Sequence, residues 1–270
     1  MANPYHEANR KSWNAATERH QSHRPDLVEL MKKGHNNIYA EDMALLGDIK
    51  GRSLVHLQCN NGLDTLSIAN HLGADVTGVD ISDYAVEVAK NLSESAEIPA
   101  KFVRSDIFDW FDSTEERYDV VYTSYGAINW ISDVERWGKG IAHVLKPGGK
   151  FVMVEFHPAS NMLELDFRVA YDYMGGKPEE TGGVGDYVGN DYEGAFVNPN
   201  PAYEFSYALS DIYNALVDGG LTITHFKEYP YINGWQPWPN MRHIGDGRYL
   251  QPEGIPNIAM MFSFAAVKKL

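Results

Sequence analysis

The chain has 270 residues, and 37 acidic against 23 basic side chains give it a net charge of −14. This length is enough for one or two domains with a full core, and the charge excludes proteins that bind long stretches of nucleic-acid backbone. A single cysteine excludes a disulfide framework, and no apolar run approaches the roughly 20 residues of a membrane span. We therefore expect a cytoplasmic protein, monomeric or homodimeric, without nucleic-acid or membrane partners.

The negative charge is concentrated in one segment. Residues 160–200 carry 8 acidic and 2 basic side chains, so they hold −6 of the total, whereas residues 1–50 are neutral. Seven glycines also fall between Gly175 and Gly194, among tyrosines and acids. This composition predicts an insertion at the surface of the fold, outside its core.

The first 50 residues are predicted to form short helices that cap the rest of the chain. Leu27, Leu30 and Met31 are spaced to share one helical face within residues 25–33, and Gly34 follows as a stop signal.

Strands and helices alternate from residue 53 onward, which predicts a doubly wound α/β sheet with helices on both faces. The predicted strands are 53–58, 75–80, 101–104, 119–122, 150–156, 221–229 and 258–267. The predicted helices are 63–71, 84–95, 134–145 and 207–218. The chain then divides into a helical cap (1–50), a core (51–159), an acidic lid insertion (160–205) and a C-terminal part (206–270) with an aromatic loop (230–256).

Polar side chains follow the first three predicted strands. The first strand runs into a turn from Gln58 to Gly62, Asp80 ends the second strand, and Asp106 follows the third. Because ligands bind at the carboxyl ends of parallel strands, we expect these residues to share one nucleoside site. The turn would face a charged tail, Asp80 the two ribose hydroxyls and Asp106 the adenine amino group.

The turn lacks the G-x-G-x-x-G pattern of dinucleotide-binding proteins. Gln58 and Asn60 carry side chains where such a protein needs bare backbone beside a pyrophosphate. This disfavours a nicotinamide cofactor and leaves room for a nucleoside ligand with a smaller head group.

Five segments carry a resemblance to a known family: VHLQCNNGLDT, GVDIS, RSDIFDW, YDVVYTSYGAINWI and LKPGGKFVMVEFHP. Over residues 40–160 the chain resembles the class I S-adenosylmethionine-dependent methyltransferases, in a bacterial small-molecule branch with an HLQC turn. The resemblance implies a Rossmann-like sheet of seven mainly parallel strands, the last one antiparallel. It also implies S-adenosylmethionine as cofactor, S-adenosylhomocysteine as product, and in-line methyl transfer to a small molecule without a metal.

The same resemblance assigns cofactor-binding roles to individual residues. They are Gln58, Cys59 and Gly62 at the methionine end, Asp80 and Ile81 at the ribose and adenine, Asp106 and Ile107 at the adenine, and Thr123 and Ser124 beside the α-ammonium group. The chain departs from the family at His56, which replaces the usual acid, and at Gln58 and Asn60, which replace the usual glycines. His56 is expected to remain in the cofactor site, and Trp13 of the cap is expected to close over it.

The acceptor is expected beside the ends of the fourth and fifth strands, where His157 and Tyr125 are the candidate catalytic residues. The expected acceptor-binding residues are Asn129, Trp130, Tyr231, Trp235 and Trp238. A pocket with aromatic faces and nearby carboxylates favours an amine or another nitrogen nucleophile, with an oxygen nucleophile next.

Two other functions stay open at this point. A nicotinamide-dependent oxidoreductase shares the same type of sheet, and a cofactor-binding or regulatory protein without catalysis would tolerate the unusual first turn. Binding of S-adenosylmethionine and S-adenosylhomocysteine, followed by turnover, separates these possibilities.

Overall fold

A single twisted sheet forms the centre of the molecule in a computed structural model that describes residues 3–175, 177–188 and 196–270. The described strands in chain order are β1 (Ser53–Leu57), β2 (Asp75–Asp80), β3 (Lys101–Arg104), β4 (Tyr118–Ser124), β5 (Leu145–Phe156), β6 (Glu179–Thr181), β7 (Ala202–Glu204), β8 (Leu221–Tyr229), β9 (Tyr231–Asn233), β10 (Arg242–His243), β11 (Arg248–Leu250) and β12 (Met261–Lys268).

Seven strands build the main sheet in the order β3-β2-β1-β4-β5-β12-β8. The pairs among β1 to β5 are parallel, and β12 runs antiparallel to both β5 and β8. This confirms the predicted Rossmann-like sheet with its antiparallel last strand. The strand order reverses at β1, which lies between β2 and β4, so a ligand cleft is expected at the carboxyl end of β1.

Helices cover both faces of this sheet. They are α1 (Pro4–Ser22), α2 (Leu27–Lys32), α3 (Ala40–Leu46), α4 (Leu63–Leu72), α5 (Asp83–Ala96), α6 (Ile107–Ser113), α7 (Val134–Val144), α8 (Pro158–Asn161) and α9 (Leu209–Asp218). The first three form the predicted N-terminal cap. Among the described helices, none has the length and apolar character needed to cross a membrane.

Neighbouring residues of the central strands pack against opposite helical layers. Val121 lies in one apolar cluster with Trp137 of α7, whereas Val120 lies in another with Ile68 of α4. This follows from the alternation of side chains along a strand. Because both faces are covered, the central strands are apolar on both sides and their carboxyl ends are the part of the sheet left open for polar chemistry.

Several predicted bounds were wrong. The fifth strand begins at Leu145, so Pro147, Gly148 and Gly149 belong to its irregular first part. The last strand begins at Met261, three residues later than predicted. The helix α6 was not predicted at all.

The C-terminal loop 230–256 contains regular structure that the sequence did not indicate. Its three short strands form a separate antiparallel sheet in the order β10-β11-β9. Inside the insertion, β6 and β7 form a two-stranded antiparallel sheet. Strands of two or three residues are too short to show a hydrophobic period.

Gly62 allows a close approach between the first turn and the α5 layer. Its φ is +77°, and a Cβ at this position would lie 2.7 Å from Cβ of Ala89 and from the ring of Phe102. We expect Gly62→Ala to lower the free energy of unfolding by about 2–5 kcal/mol, because backbone strain and overpacking add. Urea denaturation measures this change.

Gly34→Ala is the matched control. Gly34 has a similar φ of +81°, and no atom of the described residues lies within 4 Å of a Cβ placed there. It should therefore lose only the backbone contribution of about 1–2 kcal/mol. Equal losses in the two variants would contradict a packing role for Gly62.

Candidate active site

One large cavity of about 1180 Å³ opens at the carboxyl ends of β1, β4 and β5. Most of the residues predicted for the site line it: Trp13, His56, Gln58, Cys59, Asp80, Ile81, Asp106, Ile107, Ser124, Tyr125, Asn129, Trp130, Trp235 and Trp238. The remaining predicted residues, Gly62, Thr123, His157 and Tyr231, are not among its lining residues. The structure thus brings together residues from the cap, the core, the insertion and the C-terminal part.

The turn after β1 holds two non-glycine residues in the left-handed region. Gln58 has φ +56° and Asn60 has φ +48°, at the two positions where the resemblance expects glycine. Such a backbone costs a non-glycine residue about 1–2 kcal/mol. The Gln58 side chain offsets part of this cost, because Nε2 donates a hydrogen bond to the carbonyl oxygen of Ala127 at 2.8 Å.

Asp80 lies at the end of β2 beside this turn. One carboxylate oxygen accepts a hydrogen bond from the backbone N–H of Asn60 and the other from that of Ser82, each at 2.8 Å. Burial raises the pKa of Asp80, and these backbone donors act in the opposite direction. Each oxygen keeps a lone pair, so Asp80 can accept hydrogen bonds from two ligand hydroxyls.

His56 is a neutral, buried residue in the place of the expected acid. Its Nδ1 lies 2.8 Å from Oγ1 of Thr65, and its Nε2 lies 3.3 Å from Oγ of Ser124. Burial lowers the pKa of His56 to about 3. His56 therefore supplies no charge to the cavity.

Asp64, in the first turn of α4, supplies the negative charge that His56 lacks. The Ser124 hydroxyl donates to its carboxylate at 3.3 Å, and the Asn37 side chain donates as well. Burial raises the pKa of Asp64. Asp64 lines the cavity beside Ser124, where the α-ammonium group was expected.

Asp106 caps α6 and is already engaged by the N-terminal helix. One of its oxygens accepts from the backbone N–H of Phe108 at 2.7 Å, and the other lies 2.5 Å from Nδ1 of His6. Ile81 and Ile107, the two residues predicted to lie beside an adenine, also line the cavity.

Aromatic residues of the cap and the insertion cover the turn after β1. The rings of Trp13 and Trp130 meet edge to face with centroids 5.4 Å apart, and Trp13 also meets Tyr187 at 6.3 Å. The hydroxyl of Tyr187 accepts a hydrogen bond from the Asn60 side chain at 3.3 Å. Asp186, next in the chain, lies 2.7 Å from Nε2 of His23. These contacts tie the insertion to α1.

Glu155 organises the loop that follows β4. It is completely buried, and its carboxylate accepts hydrogen bonds from the backbone N–H groups of Gly126, Ala127 at 2.8 Å, Ile128 at 3.2 Å and Phe156 at 2.7 Å. Burial raises the pKa of Glu155, and the backbone donors favour its charged form.

Tyr125 is the centre of a second polar network, on the acceptor side of the cavity. Its hydroxyl donates to the fully buried carboxylate of Asp42 at 2.7 Å and accepts from Nδ2 of Asn233 at 3.0 Å. The same Asn233 nitrogen donates to Glu41 at 3.1 Å. Asp42 also accepts from the hydroxyl of Tyr122 at 2.8 Å.

Four predicted site residues have other surroundings in the structure. His157 caps α8 by accepting from the backbone N–H of Ala159 at 3.0 Å, and its Nε2 lies 3.0 Å from Glu228 of β8. The hydroxyl of Tyr231 donates to Glu41 at 2.8 Å. Thr123 is buried and its hydroxyl has no hydrogen-bond partner in the described ranges, and Gly62 packs on the α5 layer. The imidazole of His157 is thus held between two protein partners outside the cavity.

The sequence reasoning missed five residues of the site, which are His6, Asp42, Asp64, Glu155 and Asn233. Asp64 had a usable signal, since it lies two residues after the turn in GLDT. Glu155 also lies at a strand end. The other three depend on contacts across about 80 or more residues of chain and carry no local signal. Within the described ranges, no group of three or more His, Cys, Asp or Glu is arranged to hold a metal ion.

Comparison with known proteins places these features in a family. Residues 55–149 match the family described as a methyltransferase domain. A ubiquinone biosynthesis O-methyltransferase of Coxiella burnetii is 33% identical over 102 residues, which are 38% of this chain and 42% of that protein. The match thus spans less than half the length of this relative. A 2-phytyl-1,4-naphtoquinone methyltransferase of Nostoc punctiforme is 30% identical over 77% of this chain and 88% of that protein.

Solved structures agree on the fold. A methyltransferase of Methanosarcina mazei superposes with a TM-score of 0.56 at 16% identity, over 86% of this chain and 99% of that one. A glycopeptide N-methyltransferase solved with S-adenosylmethionine gives a TM-score of 0.53 at 14% identity, over 83% and 84% of the two chains. The sheet order, the acids at the strand ends and the long match to the Nostoc protein lead to one conclusion: the chain belongs to the class I S-adenosylmethionine-dependent methyltransferases.

Proposed function

We propose that this protein transfers a methyl group from S-adenosylmethionine to a small molecule held in the same cavity. The observation that carries the proposal is a set of three carboxylates around one cavity: Asp80 and Asp106 at the ends of β2 and β3, and Asp64 in the first turn of α4. S-adenosylmethionine supplies an electrophilic methyl group on a sulfonium sulfur. The residues of the chain then need to align the acceptor with that carbon at about 3–3.5 Å and exclude water.

The chain offers suitable partners for each part of this cofactor. Asp80 has lone pairs for the ribose hydroxyls, and Asp64 with Ser124 provides a negative wall for the α-ammonium group. The side-chain oxygen of Gln58, in the same turn, is buried and has no hydrogen-bond partner within the part of the chain that the structure describes. A buried acceptor of this kind is satisfied when a ligand donates to it.

Calorimetric titration with S-adenosylhomocysteine tests cofactor binding. Asp80→Ala should weaken binding by about 1.5–3 kcal/mol for each ribose hydrogen bond lost, because the acceptor is charged. Asp83→Ala is the matched control, since it removes an equal charge. Asp83 lies three residues after Asp80, and its side chain does not line the cavity. No binding to the wild-type protein at millimolar concentration would refute the proposed function.

The charge of the cavity supports a cationic or neutral acceptor. Arg24 is the only lysine or arginine among the described residues that line the cavity. The acidic lining residues are Asp64, Asp80, Asp106, Glu155, Glu164, Glu179, Asp186 and Glu204. Three of these, Glu164, Glu179 and Asp186, come from the segment that holds −6 of the net charge. An anionic acceptor would be repelled by this wall.

Aromatic rings provide the apolar part of the acceptor pocket. Tyr39, Tyr125, Phe156 and Trp235 contact one another in sequence, with centroid distances of 5.7, 5.7 and 5.0 Å. A flat ring or an ammonium group fits such faces. We therefore favour an amine acceptor. The quinone relatives make a ring hydroxyl or ring carbon the second candidate.

A pair of probes with one ring and opposite charges tests the acceptor class. Tyramine carries an ammonium group, whereas 3-(4-hydroxyphenyl)propionate carries a carboxylate. We expect tritium from labelled S-adenosylmethionine to enter tyramine at least about tenfold faster, given the acidic wall. Mass spectrometry locates the new methyl group. Faster labelling of the propionate would contradict the charge argument, and labelling of 1,4-naphthohydroquinone alone would favour the second candidate.

Tyr125 is the residue of the chain best placed to receive the acceptor proton. Its hydroxyl already donates to Asp42, and one lone pair remains for an N–H or O–H of the acceptor. An ammonium acceptor would first lose a proton to Tyr125 while the Tyr125 proton passes to Asp42, and the nitrogen lone pair freed in this way would then attack the methyl carbon. Asp42 is then a positioning residue that holds the proton. Burial raises the pKa of Tyr125 well above its usual range, so the phenol relays a proton without ionising beforehand.

Tyr125→Phe should lower kcat by about 100-fold or more, which is the usual contribution of a general base, while S-adenosylhomocysteine binding stays unchanged. Tyr122→Phe is the control, because it removes an equivalent hydrogen bond to Asp42 from a buried position. It should change kcat by less than about tenfold if the path of the proton matters. Equal losses of kcat would indicate a purely structural network.

The pH profile provides a second readout of the same relay. Burial raises the pKa of Asp42 to about 7, with the Asp64 charge adding to the rise and the hydroxyls of Tyr125 and Tyr122 and the Tyr39 N–H opposing it. A protonated Asp42 cannot take the proton, so kcat should fall as the pH drops below about 7. A flat profile between pH 5.5 and 8.5 would contradict the role of Asp42.

A further inference from the structure

A histidine from the N-terminal helix reaches the residue expected to recognise the adenine base. His6 of α1 is 5% exposed, and its Nδ1 lies 2.5 Å from Oδ2 of Asp106, which is distant in the sequence. Both residues line the cavity. The other oxygen of Asp106 is taken by the N–H of Phe108. Asp106 is therefore held from two sides before any ligand is considered.

The local packing fixes the imidazole as well as the carboxylate. The ring of His6 stacks on Phe108 with centroids 5.4 Å apart and an interplanar angle of 27°. The Asp106 side chain keeps 15% of its surface exposed, and the carboxylate oxygen bonded to His6 has a second lone pair. One acceptor position on Asp106 thus remains for a ligand donor.

His6 fixes the direction of this carboxylate. Burial raises the pKa of Asp106, but the hydrogen bond and the charge of His6, together with the backbone N–H groups of Phe108 and Asp109, outweigh burial, so the pKa lies below its ordinary value. Without His6, the oxygen Oδ2 would lose the partner that holds it, and only the Phe108 side of the carboxylate would stay fixed. A carboxylate that can rotate no longer presents a lone pair in the fixed direction that an amino group requires.

The Nε2 atom of His6 is a second sign that the wall is built for a ligand. It is buried and has no hydrogen-bond partner among the described residues. A buried polar atom without a partner destabilises the folded state, and the packing of α1 against the core does not require a nitrogen at this position. A polar ligand ring at the cavity wall, or a water held by it, would remove that cost.

We propose that His6 and Asp106 form a pair that selects a 6-aminopurine, with His6 holding the carboxylate in the orientation that accepts from the amino group. The inference rests on the proposed cofactor site. It assigns a specificity role to α1 beyond closing the cavity, and it makes His6 a positioning residue for Asp106.

S-adenosylhomocysteine and S-inosylhomocysteine provide the test, because the second carries a 6-oxo group and an N1–H in place of the 6-amino group and N1. Calorimetry gives the dissociation constant of each for the wild type and for each variant. The wild type should prefer the amino compound by at least about 30-fold, as expected when an oxo group faces a charged acceptor. In His6→Phe, which keeps a flat ring on Phe108, this preference should fall below about fivefold.

His6→Asn is the rescue variant. The Asn side-chain nitrogen lies at a position similar to Nδ1 of histidine, so it can still donate to Asp106, and the preference should stay within about threefold of the wild type. His20→Phe controls for damage to α1, since His20 is a second buried histidine of that helix and bonds to the Gly185 carbonyl. It should change both dissociation constants by the same factor.

The outcomes are separable. A folded His6→Phe variant with the wild-type preference would overturn the role of His6 and leave the proposed function standing. A wild type that binds both compounds equally would also overturn it. If neither compound bound the wild type, the proposed function and this inference would both fail.

Discussion

The buried carboxylate of Glu155 is the interaction on which the rest of the site depends. It gathers the N–H groups of residues 126–128 and so sets the course of the chain after β4. That course places the Ala127 carbonyl within hydrogen-bond distance of the Gln58 side chain. It also brings Tyr125 and Trp130 to the wall of the cavity. A charge buried without these donors would be prohibitively unfavourable, so the loop and the carboxylate stabilise each other. The turn after β1 and the loop after β4 are thereby joined at one point.

The fold and the position of two acids at the strand ends could be predicted from the sequence because both depend on local signals. Alternating strands and helices predict the sheet, and Asp80 and Asp106 are found by their position at strand ends. The contact between Tyr125 and Asp42 could not be predicted, since it forms only when α3 packs beside β5. His157 shows the limit of the same rule. A residue after a strand can turn to either side, and His157 turns toward β8.

The N-terminal helices contribute side chains to the polar and aromatic networks around the cavity as well as covering it. α1 brings His6 to Asp106 and Trp13 to Trp130, and α3 brings Asp42 to Tyr125. Their residues complete networks whose other members belong to the core. The cap therefore supplies polar and aromatic groups in regions that the strand ends alone leave open.

The left-handed residues Gln58 and Asn60 have a consequence for the thermodynamics of ligand binding. A glycine-rich turn samples many conformations when empty, and ordering it on binding costs entropy. In this chain both positions carry side chains with partners, Ala127 for Gln58 and Tyr187 for Asn60. The turn is therefore ordered during folding, and the folding free energy of the whole domain offsets its backbone strain. A ligand then meets a preorganised surface, and less of its binding free energy is spent on ordering the chain.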